Sequence, residues 1–511
     1  MAQSKRGDHQ IPVVDIFAGP GGLGEGFSSL ETASGCRRFR IDVSIEKDEF
    51  AWRTLHSRAF RRQFEDVVPE TYRLALRGEV PIDAAYAQHA RQTAAADAEA
   101  IRLELGAANS SKVVELVRAR IAKRSPWVLV GGPPCQAYSL IGRARNKGNS
   151  EYVPEADHRQ KLYVEYLDIL AHAAPDVFVM ENVKGLLSAQ FGSQRLFGRI
   201  MDDLRSPAKA IEREGRPRPR SAPRYAIHAL VPRQSLFDEP ADYIVRAEHY
   251  GVPQARHRVI LLGIREGAGL GEPGTLVPSA ARTVASAIDD LPRLRSGVSD
   301  APDSWEAWHD VLAKVPAAPW FSDADAAVQE EIRRAVAQLR RPRADRGAEF
   351  LPGTKESSAV RVSRDAGGYL NHSTRSHMAS DLERYLFVSA FGRAAKRSPS
   401  LPDFPKALLP SHRSAGDGTD GPAFADRFRV QLAHRPATTV TSHIAKDGHY
   451  YIHPDPTQCR SLTVREAARL QTFPEDYFFC GPRTAQYHQV GNAVPPLLAG
   501  QIARIVSDLL K

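Results

Sequence analysis

The stretch VVDIFAGPGGLG, residues 13–24, is the strongest local indication of fold in this 511-residue sequence. Its first residues have the apolar, β-branched composition of a buried strand, and Gly19, Gly21 and Gly24 then satisfy the pattern G-x-G-x-x-G. Glycines at these positions permit a tight turn and a close backbone approach to a ligand. Glu46, after the next predicted strand, is placed to hold ribose hydroxyls. Taken alone, the pattern fits a nicotinamide or flavin enzyme as well as any other nucleoside cofactor.

Apolar runs alternate with helical patterns through the first half of the chain, which predicts an α/β fold. In such folds, ligand sites lie at the carboxyl ends of the strands. The predicted strands are Val13–Phe17, Ile41–Ile45, Val128–Val130, Val177–Met180, Tyr225–Val231 and Val259–Ile264. From about residue 267 the alternation fades, and clusters of Pro, Gly, Ser and Arg predict a second, irregular domain. Order returns with predicted helices at Thr463–Leu470 and after Pro496.

Composition narrows the class of protein. With 42% hydrophobic and 25% charged residues, and no apolar run near the ~18 residues of a membrane helix, we expect a globular, cytoplasmic protein without a secretory signal. The four cysteines form no CxxC pair, so neither a disulfide framework nor a zinc site is expected. The net charge of +9 is compatible with a polyanionic partner. Residues 205–224 hold seven basic and two acidic side chains, which suits either a solvated loop or a phosphate-contacting segment.

Two predicted strand ends carry reactive or polar side chains. Gly131-Gly-Pro-Pro-Cys135 follows the strand at 128–130, and its prolines exclude a helix, so the thiol is presented on an extended loop. A lone cysteine is more often a buried structural thiol, but its place on this loop favours a nucleophile. Glu181 ends the next strand and is expected to point into the same crevice.

Two further motifs lie nearer the C-terminus. Gln254, Arg256 and Arg258 share one face of an extended segment, and paired guanidinium groups suit a phosphate or a planar polar edge. The turn GNAVPP at 491–496 precedes the last predicted helix.

Taken in order, these motifs resemble the cytosine-C5 DNA methyltransferase family. The resemblance rests on PPCQAYS at 133–139, ENV at 181–183, QARHR at 254–258 and GNAVPP at 491–496. It covers residues 15–264, 435–440 and 460–505. It implies a Rossmann-like S-adenosylmethionine-dependent methyltransferase sheet with helices on both faces, plus a smaller irregular target-recognition domain.

The resemblance assigns catalytic roles. Cys135 would add to C6 of cytosine, and Glu181 would hydrogen-bond N3 and the exocyclic amine. Arg256 and Arg258 would steady O2 of the base and the loop that carries Cys135. The nucleic-acid contacts it implies are Gln136, Ser139, Arg256 and Arg258.

It also assigns a cofactor site for S-adenosylmethionine, with S-adenosylhomocysteine as product and no metal. Glu46 would hold the ribose, Asp66 and Val67 would lie near the adenine, and Asn492 to Val494 would close the site. Lys47 departs from the aromatic residue of many relatives, so stacking on the adenine is in question there. The full set is Phe17, Ala18, Gly19, Gly21, Gly22, Leu23, Glu46, Lys47, Asp66, Val67, Pro133, Asn492, Ala493 and Val494.

The implied substrate is duplex DNA with the target base flipped out, read by the recognition domain, for which Asn371–His377 and the arginines are candidates. The expected domains are 1–293 (catalytic, with a helical insertion at about 69–124), 294–486 (target recognition) and 487–511 (returning to the first domain). We expect a monomer with no membrane partner, and a separate cognate restriction endonuclease is compatible with this assignment.

Three alternatives remain at this point. The same chemistry could act on RNA, although the large middle region favours DNA. A nicotinamide-dependent oxidoreductase is supported only by the glycine pattern and leaves Cys135 and Glu181 without roles. A catalytically inactive DNA-binding protein is disfavoured because the catalytic positions are intact.

Overall fold

The computed structural model describes residues 10–64, 67–121, 126–134, 162–188, 190–191, 194–232, 239–353, 362–409 and 428–511. The strands, in chain order, are β1 (Ile11–Ile16), β2 (Phe39–Glu46), β3 (Ala100–Arg102), β4 (Val128–Gly131), β5 (Val177–Val183), β6 (Gln190–Phe191), β7 (Gln194–Arg195), β8 (Tyr225–His228), β9 (Ile244–Arg246), β10 (Gln254–Ala255), β11 (His257–Arg265), β12 (Gly297–Val298), β13 (Gly347–Pro352), β14 (Gly368–Ser373), β15 (Ser376–His377) and β16 (Ala437–Thr438).

The helices of the described ranges are α1 (Gly22–Ser28), α2 (Glu49–Arg62), α3 (Glu70–Leu76), α4 (Ile82–Gln88), α5 (Ala90–Glu99), α6 (Ser110–Ile121), α7 (Leu162–Ala173), α8 (Leu196–Arg205), α9 (Pro207–Arg213), α10 (Val284–Ile288), α11 (Trp305–Ala313), α12 (Ala326–Ala337), α13 (Ala379–Ala395), α14 (Val464–Leu470), α15 (Arg483–Asn492) and α16 (Pro496–Leu509). In the parts of the chain that the structure describes, none of them is both long and apolar enough to span a bilayer.

Within these ranges, eight strands form a central sheet in the order β3-β2-β1-β4-β5-β11-β8, with β9 also pairing with β11. Strands β1 to β5 run parallel, whereas β11 is antiparallel to β5, β8 and β9. The chain passes outward from β1 to β3 and then returns to the other side of β1. A switch of this kind opens a crevice between β1 and β4 at the carboxyl ends of the strands.

Both faces of the sheet are covered by helices. In β5, Val177 and Val179 pack with α1 and α16, whereas Phe178 and Met180 pack with α6 to α9. Burial on both faces explains why the parallel strands are continuous apolar runs rather than alternating ones. The expected α/β fold with helices on both faces is therefore confirmed.

The C-terminal helix packs against the first helix of the chain. Leu498, Ala499 and Ile502 of α16 share a core with Leu23 and Phe27 of α1. The helix begins at Pro496, as the sequence predicts, and α14 starts with the predicted capping box between Thr463 and Glu466.

Residues 69–124, expected to be a helical insertion, also contribute a strand to the central sheet. Helices α3 to α5 pack around Phe60 and Tyr72, beside Leu370 of the C-terminal half. However, β3 pairs in parallel with β2, and α6 packs under the sheet with α7. The second half of the stretch therefore belongs to the central layer.

The middle of the chain is more regular than its composition predicts. Helices α11, α12 and α13 pack around Trp308 and Phe387, and the short strands β13 and β14 form an antiparallel pair. Helix α13 is buried on most of its surface, so its apolar residues lack the one-sided spacing by which a surface helix is recognised in a sequence.

Candidate active site

The candidate site lies at one edge of the central sheet. The parallel strands β1, β2, β4 and β5 all end there, and the antiparallel strand β11 begins there, with Arg258 opposite Val183 in register. This arrangement brings together side chains that are far apart in sequence. The Gly-rich turn, Glu46, Gly132, Glu181 and Arg258 all lie at this edge because of strand direction alone.

The Gly-rich turn after β1 has an unusual backbone. Phe17, Gly19 and Gly21 have φ angles of 54°, 57° and 95°, in the left-handed region that favours glycine. In the described chain no atom lies within 4 Å of the point where a Gly19 side chain would begin, so a ligand can approach the backbone there. A side chain on Gly22 would instead collide with the carbonyl oxygen of Val494, 2.1 Å from its Cβ position. The turn at 492–494 therefore lies directly against the Gly-rich turn.

Glu46 is bound to the Gly-rich turn through its carboxylate. The amide of Gly19 donates to one carboxylate oxygen at 2.9 Å, and the amides of Lys47 and Asp48 donate to the other at 2.9 and 2.8 Å. Burial raises the pKa of Glu46, and these three amide donors oppose that shift. The carboxylate is thus fixed in place at the strand end with further lone pairs available.

The segment beside Glu46 is not the one expected from the sequence. Val67 follows α2, a helix that starts beside Glu46 and extends about 21 Å over its 14 residues, and the Val67 side chain is 69% exposed. Asp66 lies outside the described residues. The strand next to β2 is β3, and the Leu103 amide donates to the Glu46 carbonyl at 3.1 Å. Lys47 also contacts Glu104 at 3.3 Å, so residues 103–105 occupy this position.

Glu181 and Arg258 form an ion pair at the edge of the sheet. The Arg258 Nε lies 2.8 Å from Glu181 Oε1, and the two side chains are 14% and 13% exposed. Burial lowers the pKa of Arg258, and Glu181 opposes that shift. The other Glu181 oxygen lies 3.0 Å from where a Gly132 side chain would begin, so a larger residue at 132 would push the carboxylate out of its present position by a few tenths of an ångström.

Asn182 connects Glu181 to the loop after β4. Its side-chain amide donates to the Pro133 carbonyl at 3.2 Å, while its oxygen accepts from the Val183 amide at 2.8 Å. The residue is buried, so these bonds hold the start of the loop against β5. Sequence reasoning quoted Asn182 only as part of a motif. Its place directly after Glu181, beyond the end of a predicted strand, is the signal that could have identified it.

Cys135, Gln136 and Ser139 lie outside the described residues. The described part of this loop, residues 132–134, ends one residue before Cys135.

A sequence profile of the C-5 cytosine-specific DNA methylase family matches residues 104–207 and 241–507. The chain belongs to this family. It is accordingly a DNA (cytosine-5)-methyltransferase, and the family implies S-adenosylmethionine as methyl donor. The resemblance stated from the sequence motifs is confirmed.

Similarity to known proteins covers nearly the whole length of this methyltransferase. The type II methyltransferase M.Bpa9945I of Bacillus paralicheniformis is 30% identical, covering 98% of this chain and 99% of its own. The type II methyltransferase M.AgeI of Thalassovita gelatinovora is 25% identical over 97% and 99%. A prophage-encoded E. coli protein described as a DNA modification methyltransferase has a similar fold, with a TM-score of 0.50, 18% identity and coverage of 98% and 99%.

Arg256 of this methyltransferase lies just before β11 and is buried. Its side chain is 2% exposed, and it donates to the carbonyl oxygens of Val440 and Gly491 at 2.9 and 3.3 Å. The neighbouring Gln254 accepts from the Val440 amide at 2.7 Å. The guanidinium is thus buried between the two C-terminal segments and joins them to β11, and the expected DNA contact of Arg256 stays a prediction.

Most of the segment Asn371–His377 is buried in the methyltransferase. Asn371 is buried and exchanges hydrogen bonds with the backbone of Phe479 at 3.2 and 2.9 Å. His372 contacts the Thr463 hydroxyl at 2.9 Å and the Pro292 carbonyl at 3.0 Å. These side chains hold the middle of the chain to its C-terminal part.

The basic segment 205–224 is largely neutralised within the protein. Arg213 pairs with Asp203 at 2.6 Å, and Arg216 pairs with Asp168 at 3.0 Å and with Glu165 on α7. Arg205, Arg218 and Arg224 also have carboxylate partners. Five of the seven basic side chains are thus in ion pairs within the described chain, and Arg213 and Arg216 hold the segment against α8 and α7.

Proposed function

We propose that this protein transfers a methyl group from S-adenosylmethionine to C5 of cytosine in a specific duplex DNA sequence, through a covalent bond between Cys135 and C6 of a flipped-out base. The observation that carries the proposal is the contact of Glu181 with the position of Gly132, three residues before Cys135. A carboxyl group and a thiol supplied by adjacent parallel strands can face one pyrimidine ring from two sides.

The chemistry requires both groups. Cytosine C5 is a weak nucleophile, so the Cys135 thiolate first adds to C6, and the ring electrons move toward C5. C5 then forms a bond to the methyl group that S-adenosylmethionine supplies in activated form. Loss of the C5 proton to a base and departure of the thiolate from C6 restore the aromatic ring. Glu181 hydrogen-bonds N3 and the exocyclic amine and so stabilises the charge that develops on the ring.

Arg258 is the positioning partner of Glu181. Its Nε contacts Glu181 Oε1 at 2.8 Å, which fixes the carboxyl group at the sheet edge and leaves the other oxygen directed toward Gly132. With both side chains more than four-fifths buried, little water competes for this contact. We assign Arg258, rather than Arg256, to the steadying of the base.

The residues present fit S-adenosylmethionine. The open space at Gly19 admits a ligand to the backbone, and Glu46 at the end of β2 is held for contact with ribose hydroxyls. We propose that Leu103 to Leu105 contact the adenine in place of Val67, because they follow the strand adjacent to β2. Phe17 to Leu23, Pro133 and Asn492 to Val494 would complete the site.

The full-length similarity to type II methyltransferases supports a place in a type II restriction-modification system, with a separate endonuclease of the same specificity. We propose that residues 294–486 read the target sequence and that residues 487–511 complete the catalytic domain of 1–293. We further propose that the enzyme acts as a monomer in the cytoplasm.

The experiment uses duplex DNA that contains 5-fluorocytosine. Fluorine at C5 cannot leave as a proton, so in the presence of S-adenosylmethionine the enzyme becomes covalently trapped on the DNA. We expect a denaturation-resistant adduct with the wild type and with Cys36→Ser, which alters an exposed thiol away from the site, and none with Cys135→Ser. An adduct that persists in Cys135→Ser, or that forms on fluorinated tRNA and not on DNA of mixed sequence, overturns the proposal.

A further inference from the structure

A buried tyrosine of the C-terminal half contacts the Gly-rich turn of the N-terminal half. The Tyr477 hydroxyl donates a hydrogen bond to the carbonyl of Pro20, in the middle of the turn. Tyr477 is 1% exposed and stacks with Phe473 and Phe479, with ring centroids 4.7 and 5.4 Å away. Burial raises the pKa of Tyr477, so its hydroxyl keeps its proton and acts as the donor.

This hydrogen bond fixes one peptide plane of the turn from both ends. The Pro20 carbonyl and the Gly21 amide belong to the same planar peptide group. The Gly21 amide donates to the Ala18 carbonyl at 2.9 Å, while the Pro20 carbonyl accepts from Tyr477. A side chain on Gly21 would lie 2.7 Å from a Leu55 methyl carbon and 3.0 Å from the Tyr477 hydroxyl, so the turn fits closely against both.

An ion pair holds the tyrosine in place. The Arg58 guanidinium lies 5.0 Å from the centre of the Tyr477 ring and donates two hydrogen bonds to Glu25 at 2.9 and 2.6 Å. Glu25 stands on α1, and its own amide donates to the Gly21 carbonyl at 2.8 Å. Both charged side chains are largely buried. The turn, α1, α2 and Tyr477 therefore form one connected polar assembly beside the candidate cofactor site.

We propose that Tyr477 is a positioning residue for the cofactor-binding turn, and that the affinity for S-adenosylmethionine depends on its hydroxyl. The proposal rests on the cofactor site assigned above. Without the hydroxyl, the Pro20–Gly21 peptide loses its anchor, and the backbone around Gly19 no longer holds the shape that admits the ligand. Tyr477 lies more than 450 residues along the chain from Pro20, so the C-terminal half directly supports a site built on β1 and β2.

The test compares Tyr477→Phe with Tyr72→Phe. Each variant keeps the ring and removes one buried hydroxyl, but the Tyr72 hydroxyl contacts Ser57 at 3.0 Å within the helices and does not touch the turn. Binding of S-adenosylhomocysteine to the free enzyme is measured by calorimetry, and KM for each substrate and kcat are measured on DNA. For Tyr477→Phe we expect Kd and the KM for S-adenosylmethionine to rise roughly three- to tenfold, with kcat and the KM for DNA near wild type.

Tyr72→Phe is expected to keep both cofactor constants while losing comparable thermal stability. Unchanged cofactor constants in Tyr477→Phe, or equal changes in both variants, overturn the positioning role. If the wild type binds no S-adenosylhomocysteine and transfers no methyl group, the cofactor assignment itself fails, and this outcome is distinct from the first. Should Tyr477→Phe not fold, Glu25→Gln keeps the hydroxyl and weakens the support of Arg58; wild-type cofactor constants in that variant also overturn the proposal.

Discussion

Two Glu–Arg pairs in this protein differ in almost everything except composition. At the sheet edge, Glu181 and Arg258 meet through one contact of 2.8 Å and are 13% and 14% exposed. In the C-terminal half, Glu466 and Arg460 make two hydrogen bonds of 2.6 and 2.7 Å and are each 1% exposed. Glu466 also accepts from the Thr463 amide at 2.7 Å and so caps α14.

We interpret the difference as separating a pair that we propose for catalysis from one whose partners all lie within the fold. In the inner pair, Glu466 and Arg460, the carboxylate is bound by the guanidinium and by the Thr463 amide at the start of α14. Burial alone would raise the pKa of Glu466, but Arg460 holds it well below its usual range. In the outer pair, Glu181 and Arg258, the carboxylate has one oxygen directed at Gly132, in the loop that leads to Cys135. Removing one partner of a fully engaged buried pair leaves an uncompensated charge in the fold, whereas a carboxylate with a free oxygen at a strand end is available to a substrate.

The largest expected effect is on catalysis. Glu181→Gln should lower kcat by roughly 10²- to 10⁴-fold, because the amide cannot replace the carboxyl group at the ring, while stability changes by only about 1 kcal/mol. Single-turnover methylation with tritiated donor and thermal unfolding measure the two quantities. Glu248→Gln is the control, since this carboxylate contacts His257, which lies on β11 next to Arg258. Normal turnover in Glu181→Gln would contradict the assigned role.

The inner pair should respond in the opposite way. Glu466→Gln leaves Arg460 buried without its counter-charge and should reduce the free energy of unfolding by roughly 3–5 kcal/mol. Denaturant titration measures this loss. Glu330→Gln, in a solvent-exposed pair with Arg334, should cost less than about 1 kcal/mol. If Glu466→Gln and Glu330→Gln are equally stable, the structural role assigned to the pair of Glu466 and Arg460 fails.

A double-mutant cycle distinguishes the two arginines of QARHR. Arg258→Lys combined with Glu181→Gln should show a coupling energy of roughly 1–3 kcal/mol in unfolding experiments, because the two side chains are in direct contact. Arg256→Lys, combined with the same variant, should show a smaller coupling energy, since Arg256 binds the Val440 and Gly491 carbonyls and interacts with Glu181 only through its charge. Equal coupling for both arginines would return Arg256 to the site.

The smallest effect concerns pH and the surroundings of the inner pair. Burial lowers the pKa of His372 from 6.5 to about 4, so in acid the unfolded chain takes up a proton that the folded chain does not. The contribution of neutral His372 to the free energy of unfolding is therefore intact above pH 6.5 and is lost as pH falls from 6.5 toward 4. Between pH 6.5 and 5.5 the loss is about 1 kcal/mol. Denaturant titration across this range should give a shallower slope for His372→Gln, and an unchanged slope would refute this assignment.

Sequence reasoning succeeded where structure is local. The Gly-rich turn, the strand ends and the capping box of α14 follow from residues within a few positions of one another. Strand direction then determines that Glu46 and Glu181 share an edge.

The burial of Arg256 and Asn371 could not be predicted from the sequence, because long-range contacts decide it. Arg256 is covered by residues 184 and 235 positions away, and Asn371 by a residue 108 positions away. No local pattern distinguishes a buried arginine from one that faces DNA. The inserted helices α3 to α5 also separate β2 from β3, so no local pattern indicates that residues 103–105 follow the strand adjacent to β2.

The packing of α16 on α1 has a consequence for the order in which the protein folds. A side chain on Gly26 would lie 2.4 Å from the Ala499 Cβ, and Arg38 donates to the Leu510 carbonyl at 3.0 Å. The first helix thus has no complete hydrophobic partner until residues 496–509 have been synthesised. In a growing chain, the helix that follows the Gly-rich turn therefore completes its core only near the end of synthesis.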